Sequence, residues 1–238
     1  MRLLITRPKD DAEPLAELLG GRGIETVIEP LLDIRDLVLP AAQMGHLLDG
    51  VQGLLVTSAN GLRAFARASK RRDLAVCAVG ESSANAARQA GFSHVDSSDG
   101  DVVALAAAVI DKRRPGDGAL LHVAGTQVAG DLAGVLEKAG FEVRRAVLYE
   151  AVKATQLSPA VQADIAAGKF DGVVLFSPRT AESFATLIGA ARLAEACRQM
   201  TAYCLSPAVA EKVRAMDWAR LAVADHPDQQ ALIRIIEE

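Results

Sequence analysis

Aromatic residues are scarce in this sequence, 4% of 238 positions, while half of the residues are hydrophobic. That balance argues against an aromatic-rich β-sandwich and suits helices packed on buried parallel strands. Cysteine is scarce as well. Cys77, Cys197 and Cys204 form no Cys-x-x-Cys pair and no zinc-ligand spacing, and Cys77 and Cys204 sit in apolar, strand-like segments that read as core thiols. No apolar run approaches the ~18 residues of a membrane span, and the run at residues 3–6 is too short for a signal peptide, so a reducing cytoplasm is expected. Positive charge is not in excess: 26 Lys and Arg face 30 Asp and Glu, a net charge of −4. A nucleic-acid partner would ask for a basic face. The two dense basic runs, Lys70-Arg71-Arg72 and Lys112-Arg113-Arg114, each precede a turn and read as solvated helix ends, where cations are favoured. Neither a membrane nor a nucleic acid is an expected partner.

The usual cofactor signatures are missing too. Gly20-Gly21-Arg22-Gly23 follows a helix, not a strand, and reads as a C-cap and turn; no Gly-x-x-x-x-Gly-Lys-Ser/Thr phosphate loop exists. Gly80-Glu81-Ser82-Ser83-Ala84 falls short of a Gly-x-Ser-x-Gly elbow because position 84 is Ala. The four histidines, His46, His94, His122 and His226, are too dispersed for a metal site, and His122, ending a strand-like run, reads as a packed, hydrogen-bonded core residue. No metal and no cofactor are expected.

What is present is alternation. Short apolar runs at 3–6, 25–29, 53–57, 75–79, 118–123, 142–149, 172–176, 202–205 and 220–223 read as strands. Amphipathic segments at 10–19, 61–68, 81–90, 101–110, 127–139, 159–167, 179–188, 207–216 and 228–236 read as helices. The fold class is therefore α/β, with parallel sheets and helices on both faces. An internal repeat implies two such domains. Residues 54–65 (LLVTSANGLRAF) align with 173–184 (VVLFSPRTAESF), so that Ser58 meets Ser177 and Phe65 meets Phe184; 78–82 resembles 203–207 at nearly the same offset. Extended alternating segments at 30–38 and 144–152 bracket ~100 residues, one domain's worth. The expected division is a discontinuous domain of 1–34 plus 153–238, an inserted domain of 38–146, and a two-stranded hinge at 33–38 and 146–153.

Ligands of open α/β sheets bind at the carboxyl ends of the strands. Here those ends run into small hydroxyl residues: Thr6-Arg7-Pro8, Thr57-Ser58-Ala59-Asn60, Gly80-Glu81-Ser82-Ser83, Gly125-Thr126, Ser177-Pro178-Arg179-Thr180 and Ser206-Pro207. Each serine alone reads as a helix cap, with Pro at the first helical position. Five or six helix starts facing one cleft would bind a polyanion without a basic protein, because each offers unpaired N–H groups and partial positive charge. Tyr149, one of only two tyrosines, lies on the return segment and could donate a proton there.

These segments resemble, in order and over the whole chain, those of uroporphyrinogen-III synthases: Thr6-Arg7-Pro8, residues 55–61 (LVTSANG), 78–83 (AVGESS), Val147-Leu148-Tyr149 and Leu175-Phe176-Ser177-Pro178. The resemblance implies two flavodoxin-like domains joined by a two-stranded ladder. It also implies a cytoplasmic, cofactor-free lyase of tetrapyrrole (haem) biosynthesis. Its substrate would be hydroxymethylbilane, closed into a ring with inversion of the terminal pyrrole and loss of water. On this reading Thr6, Arg7, Thr57, Ser58, Asn60, Gly80, Ser82, Ser83, Gly125, Thr126, Ser177, Arg179, Thr180 and Ser206 bind substrate carboxylates, and Tyr149 is the catalytic candidate. The chain departs from the family pattern at Leu205 and Ala124, where a Gly and an Arg are common. A monomer is the default, with room for a transient contact with the preceding pathway enzyme. The rival readings are a cytosolic two-lobed anion- or sugar-binding protein without catalysis, and a two-domain glycosyltransferase, for which phosphate contacts are lacking.

Overall fold

A computed structural model describes residues 1–98, 100–128 and 130–238. In chain order the elements are β1 (Arg2–Ile5), α1 (Lys9–Gly20), β2 (Glu25–Ile28), β3 (Leu32–Asp36), α2 (Ala41–Leu48), β4 (Val51–Val56), α3 (Ala59–Ala68), β5 (Ala75–Val79), α4 (Gly80–Gln89), β6 (Val95–Ser98) and α5 (Val102–Lys112). Then come β7 (Ala119–Gly125), α6 (Leu132–Lys138), β8 (Val143–Lys153), α7 (Pro159–Ala166), β9 (Gly172–Leu175), α8 (Pro178–Ala190), β10 (Thr201–Cys204), α9 (Pro207–Glu211), β11 (Arg220–Val223) and α10 (Gln229–Glu237). The chain divides into two compact units: Met1–Asp33 with Val152–Glu238, and Ile34–Ala151.

The first unit holds a sheet in the order β2-β1-β9-β10-β11, every pair parallel. Alternation along β1 sends Leu3 and Ile5 to one face and Leu4 to the other. Leu3 and Ile5 pack on Ala12, Leu15 and Leu19 of α1 and on α10, and Leu4 packs with α7, α8 and α9. Both faces are therefore buried, as parallel sheets require. Truncating one such fully buried leucine to alanine costs about 2–5 kcal/mol.

The second unit repeats the plan with the strands in a different chain order: β8-β7-β4-β5-β6, parallel throughout, with β3 added beside β8. If β7 takes the part of β1, both sheets have the order 2-1-3-4-5 of flavodoxin-like folds. The second unit is thus a circular permutation of the first, with its opening two strands supplied last. The internal repeat is explained: β4–Ser58–α3 and β9–Ser177–α8 are the same third strand and helix, and Phe65 and Phe184 are both fully buried. One core of this unit lies under α2, α3 and α4, and the opposite one under α5 and α6.

Several expectations need correction. β6 and α2 are elements that the periodicity does not predict. The β6 sequence Val-Asp-Ser-Ser offers one apolar residue at a sheet edge, and Gly45 interrupts α2. The helix expected over 127–139 starts only at Leu132, where Asp131 accepts from the Gly134 N–H at 3.0 Å; that expectation also covered Ala129, which lies outside the described residues. The helix expected over 207–216 stops at Glu211, and the Trp218 indole N–H donates to the Val213 carbonyl at 2.9 Å. The basic runs are not merely solvated. Arg72 stacks on Phe92 and donates to the carbonyls of Ala66, Ser69 and Ala90, stitching the ends of α3 and α4 together. Lys112 and Arg113 both pair with Asp96.

Candidate active site

In a 2-1-3-4-5 sheet the helices after the first and third strands leave to opposite faces, opening a crevice at the carboxyl ends of those two strands. The first unit obeys: α1 packs on one face and α8 on the other. So does the second, with α3 on one face and α6 on the other. The crevices lie between β1 and β9, and between β7 and β4.

In the second unit, β4 ends at Val56 and the chain turns through Thr57 into α3. Ser58 is the N-cap, its Oγ accepting from the Asn60 N–H at 3.2 Å. Asn60 in turn accepts from Arg63 at 3.4 Å. Thr57 Oγ1 lies 3.4 Å from Nε2 of His122 on the neighbouring strand β7. His122 is 5% exposed, a packed core histidine as expected. Burial first, and then the nearby Arg145 charge, push its pKa down to about 4, so the imidazole is neutral at pH 7.

Tyr149 reaches the same edge from β8 by way of a register shift. Ala124 pairs with Val147, but Gly125 pairs with Tyr149, so Leu148 is the extra residue of a β-bulge. Leu148 and Tyr149 consequently both pack on the core beneath α3, whereas strict alternation would have sent Tyr149 to the other face. Two glycines make room for its ring. A Cβ on Gly125 would lie 2.8 Å from Tyr149 Cζ, and one on Gly61 would lie 3.5 Å from Cε1 and 2.6 Å from the Val123 carbonyl oxygen. The half-buried phenol therefore lies over the first turn of α3. Thr126 follows β7 but starts no helix. Its N–H bonds the Tyr149 carbonyl at 3.0 Å, which corrects the helix-start reading of Gly125-Thr126.

At Gly80 the hydroxyl-cap reading also fails. α4 begins at Gly80 itself with no side-chain cap, Ser82 is exposed, Ser83 is buried, and Glu81 occupies the first turn.

In the first unit, Ser177 caps α8. Its Oγ accepts from the Thr180 N–H at 3.1 Å and lies 2.8 Å from the buried Thr180 hydroxyl. Arg179 is half-buried on the first turn. Thr6 is not a cap: it is 0% exposed, and its hydroxyl donates to the Val174 carbonyl at 3.0 Å, joining β1 to β9. Pro8 holds the N-cap position of α1. Arg7 stacks on Phe176 at 4.1 Å, approaches Asp11 at 3.5 Å and donates to Gln229 at 3.1 Å, so it ties three strand-end loops together. Ser206 is at the N-cap of α9 but makes no side-chain cap bond, and that helix has five residues.

The helix starts are not equivalent as anion sites, which narrows the expectation of five or six. Asp228, Asp101 and Asp131 cap α10, α5 and α6 with carboxylates, Asp10 and Asp11 sit in the first turn of α1, and Glu81 sits in that of α4. Glu29 accepts from both the N–H and the hydroxyl of Ser158 at the start of α7. A carboxylate at such an end already uses the positive pole. Among the described helices of eight residues or more, α3, α7 and α8 carry a serine cap and no acid in the first turn, and Glu29 already occupies the α7 start, which leaves α3 and α8 free of a carboxylate. These are the two halves of the sequence repeat.

No nucleophilic thiol competes with this arrangement. All three cysteines are buried, and burial raises Cys197 to about 11 and Cys204 to about 12. The residues not named as site candidates from the sequence are Gly61, Gln229 and Arg145. Only Gly61 carried a signal, as the glycine that closes the 55–61 motif after Asn60.

Residues 13–234 match the family model described as Uroporphyrinogen-III synthase HemD. No curated protein sequence matches the chain. Among solved structures, uroporphyrinogen-III synthetase from Helicobacter pylori aligns with 100% of this chain and 99% of its own, at 14% identity and a TM-score of 0.61. A mutant uroporphyrinogen III synthase from Thermus thermophilus aligns with 100% of this chain and 97% of its own, at 16% identity and a TM-score of 0.57. At these identities the structural likeness speaks for the fold.

Proposed function

The chain belongs to the uroporphyrinogen-III synthase family, and from that membership we propose how its own residues carry the family's reaction. It is a cyclising hydro-lyase of tetrapyrrole and haem biosynthesis. The proposed substrate is hydroxymethylbilane, a linear tetrapyrrole bearing eight carboxylates. The terminal hydroxyl takes up a proton and leaves as water, giving an azafulvenium-type cation. The far pyrrole attacks through its substituted carbon to form a spiro intermediate, which fragments and recloses with that ring turned over. Free in water, the chain closes through the unsubstituted carbon and gives the symmetric isomer. The protein's task is therefore restraint and exclusion of water more than chemical assistance.

The observation that carries the site reading is the pairing of Tyr149 with an acid-free helix start. The phenol lies over the first turn of α3, whose serine cap and amides are open to a carboxylate. A substrate carboxylate on the α3 start would set the departing hydroxyl near the Tyr149 OH, which would hydrogen-bond it as it leaves. Ser58, Asn60, Ser177, Thr180 and Arg179 are proposed as carboxylate contacts through the two equivalent helix starts. Thr57, Gly80, Ser82, Ser83, Gly125, Thr126, Arg7 and Ser206 are proposed chiefly through main-chain groups and positioning. Thr6, with its hydroxyl spent on Val174, contributes shape alone.

The units support domain limits near 1–34 with 153–238 and 38–146. Among the described residues no helix is long and apolar enough to cross a membrane. A cytoplasmic monomer, meeting the preceding pathway enzyme only in passing, is proposed from membership of this biosynthetic family. The test is direct: incubate the protein with hydroxymethylbilane, oxidise the products and resolve the isomers. Type III in excess over the spontaneous background is expected; type I alone would return the chain to the reading of a non-catalytic anion-binding protein.

A further inference from the structure

We propose that Arg145 is a carboxylate-binding residue for the reaction, holding one acidic arm of the substrate at the carboxyl end of β7. The inference rests on the synthase reading. Arg145 lies on β8 opposite His122, and its neighbours Ala146 and Leu148 face the core under α3, so its side chain leaves from the other face. It then reaches the strand end. Nη2 donates to the Gly125 carbonyl at 2.7 Å and to the Thr126 carbonyl at 3.3 Å. Tyr149 packs on Gly125 from the opposite side, so the two side chains flank the end of the same central strand.

Three features make this guanidinium a ligand and not only a brace. It is exposed, although its tip is held. Among the described residues its hydrogen bonds are made by Nη2, which leaves the hydrogens of Nε and Nη1 for a carboxylate. No carboxylate of the described residues pairs with it, whereas Arg67, Arg71, Arg88, Arg113 and Arg144 of this unit each meet Asp or Glu and Arg72 meets a helix end. Buried His122 beside it is neutral, so it neither repels the arginine nor offers a second charge. An exposed guanidinium held at one nitrogen is preorganised for recognition of a carboxylate through its other donors.

The test compares wild type, Arg145→Gln and Arg145→Lys on hydroxymethylbilane, with isomers resolved and melting curves recorded. Type III product from the wild type checks the synthase reading separately. For Arg145→Gln we expect KM to rise about tenfold with kcat within about twofold, as the loss of one charge-assisted contact predicts. Arg145→Lys should fall between the two, because it keeps the charge without the fork. The gap between wild type and Arg145→Gln should narrow as salt is raised to about 0.5 M, where an exposed charge contact is screened. An active wild type together with an unchanged KM in Arg145→Gln overturns the proposal. So does a KM gap that stays constant with salt while the melting temperature drops, since that is the behaviour of a brace for the Gly125 turn.

Discussion

Gly125→Ala tests the seating of Tyr149 without touching the phenol. A Cβ at residue 125 would lie 2.8, 2.9 and 3.2 Å from three carbons of the Tyr149 ring, where an ordinary contact needs 3.4 Å or more. The nearest pair is thus too close by roughly half an ångström, and the ring must slide or tilt. Overpacking of this kind costs about 1–3 kcal/mol, and a misplacement approaching 1 Å at a reacting group can cost about a hundredfold in rate. The expectation is a stability loss of about 1–2 kcal/mol in urea and a kcat lowered by roughly tenfold to a hundredfold, with KM nearly unchanged. The double variant Gly125→Ala with Tyr149→Ala should recover the stability lost to the clash, because the obstacle is gone, and a double-mutant cycle reads that coupling directly. If Gly125→Ala melts and turns over like the wild type, the ring is not wedged against the strand end, and the placement of the phenol over α3 has no mechanistic weight. Gly61→Ala is the contrasting control. Its clash is with the Val123 carbonyl at 2.6 Å, a backbone atom in a buried strand, so the damage there should fall on stability before rate.

Tyr149→Phe keeps the ring and removes the donor; kcat should fall roughly tenfold to a hundredfold with the isomer ratio held by restraint, and wild-type turnover would refute the donor role. Ser58→Ala and Ser177→Ala should each cost about 1 kcal/mol of stability and raise KM only severalfold, since the amides at both helix starts remain; a hundredfold rise from one hydroxyl would contradict shared binding. His122 gives a pH signature. Its folded pKa, about 4, lies below its ordinary value of 6.5, so the unfolded chain binds the proton first. Stability is full above pH 6.5 and falls as pH drops toward 4, by about 3 kcal/mol in all. Denaturant titrations at about pH 7 and about pH 4.5 should show a slope that His122→Asn reduces; an unchanged slope in the variant would show that other groups cause it.

The α/β class was legible because strands buried on both faces are continuously apolar, and short runs such as Leu54-Leu55-Val56 or Val173-Val174-Leu175 alternate with longer amphipathic segments. The repeat was legible at β4–α3 and β9–α8 because the serine cap and the buried phenylalanine are fixed by geometry that both units share. The match of β1 to β7 was not legible. Permutation places the two strands far apart in the chain, and their loops diverge, one leading at once into α1 and the other into a longer turn before Asp131. The roles of the hydroxyl residues were only half legible. Sequence shows that Thr6 or Ser82 follows a strand, but whether its oxygen caps a helix, bonds a neighbouring carbonyl or faces water depends on one residue of offset. Arg145 was invisible because a cation on an edge-ward strand looks like ordinary surface until its reach to Gly125 is seen. The bulge that turns Tyr149 inward is equally absent from any periodicity.

Each crevice uses its two polar residues differently, and that difference argues for which ones meet the substrate. In the first unit the threonine after β1 gives its hydroxyl to the carbonyl of Val174 on β9. In the second the threonine after β4 faces the imidazole of His122 on β7. The direction is reversed, yet both are contacts between the first and third strands of the sheet, at the point where the strands part. A polar contact there is stronger than one in water and costly to leave unmade, so it fixes the spacing between the two departing loops. The serine at each helix start is left half-exposed and bonded only to its own first turn. Rigid spacing from a threonine and open amides beside a serine are separate jobs. Thr6→Val should therefore loosen the β1–β9 junction and lower the melting temperature while leaving KM almost unchanged, the reverse of what Arg145→Gln should do. A Thr6→Val enzyme with native stability and a raised KM would mean that the buried hydroxyl turns outward to bind substrate, and the division between staple and ligand would have to be abandoned.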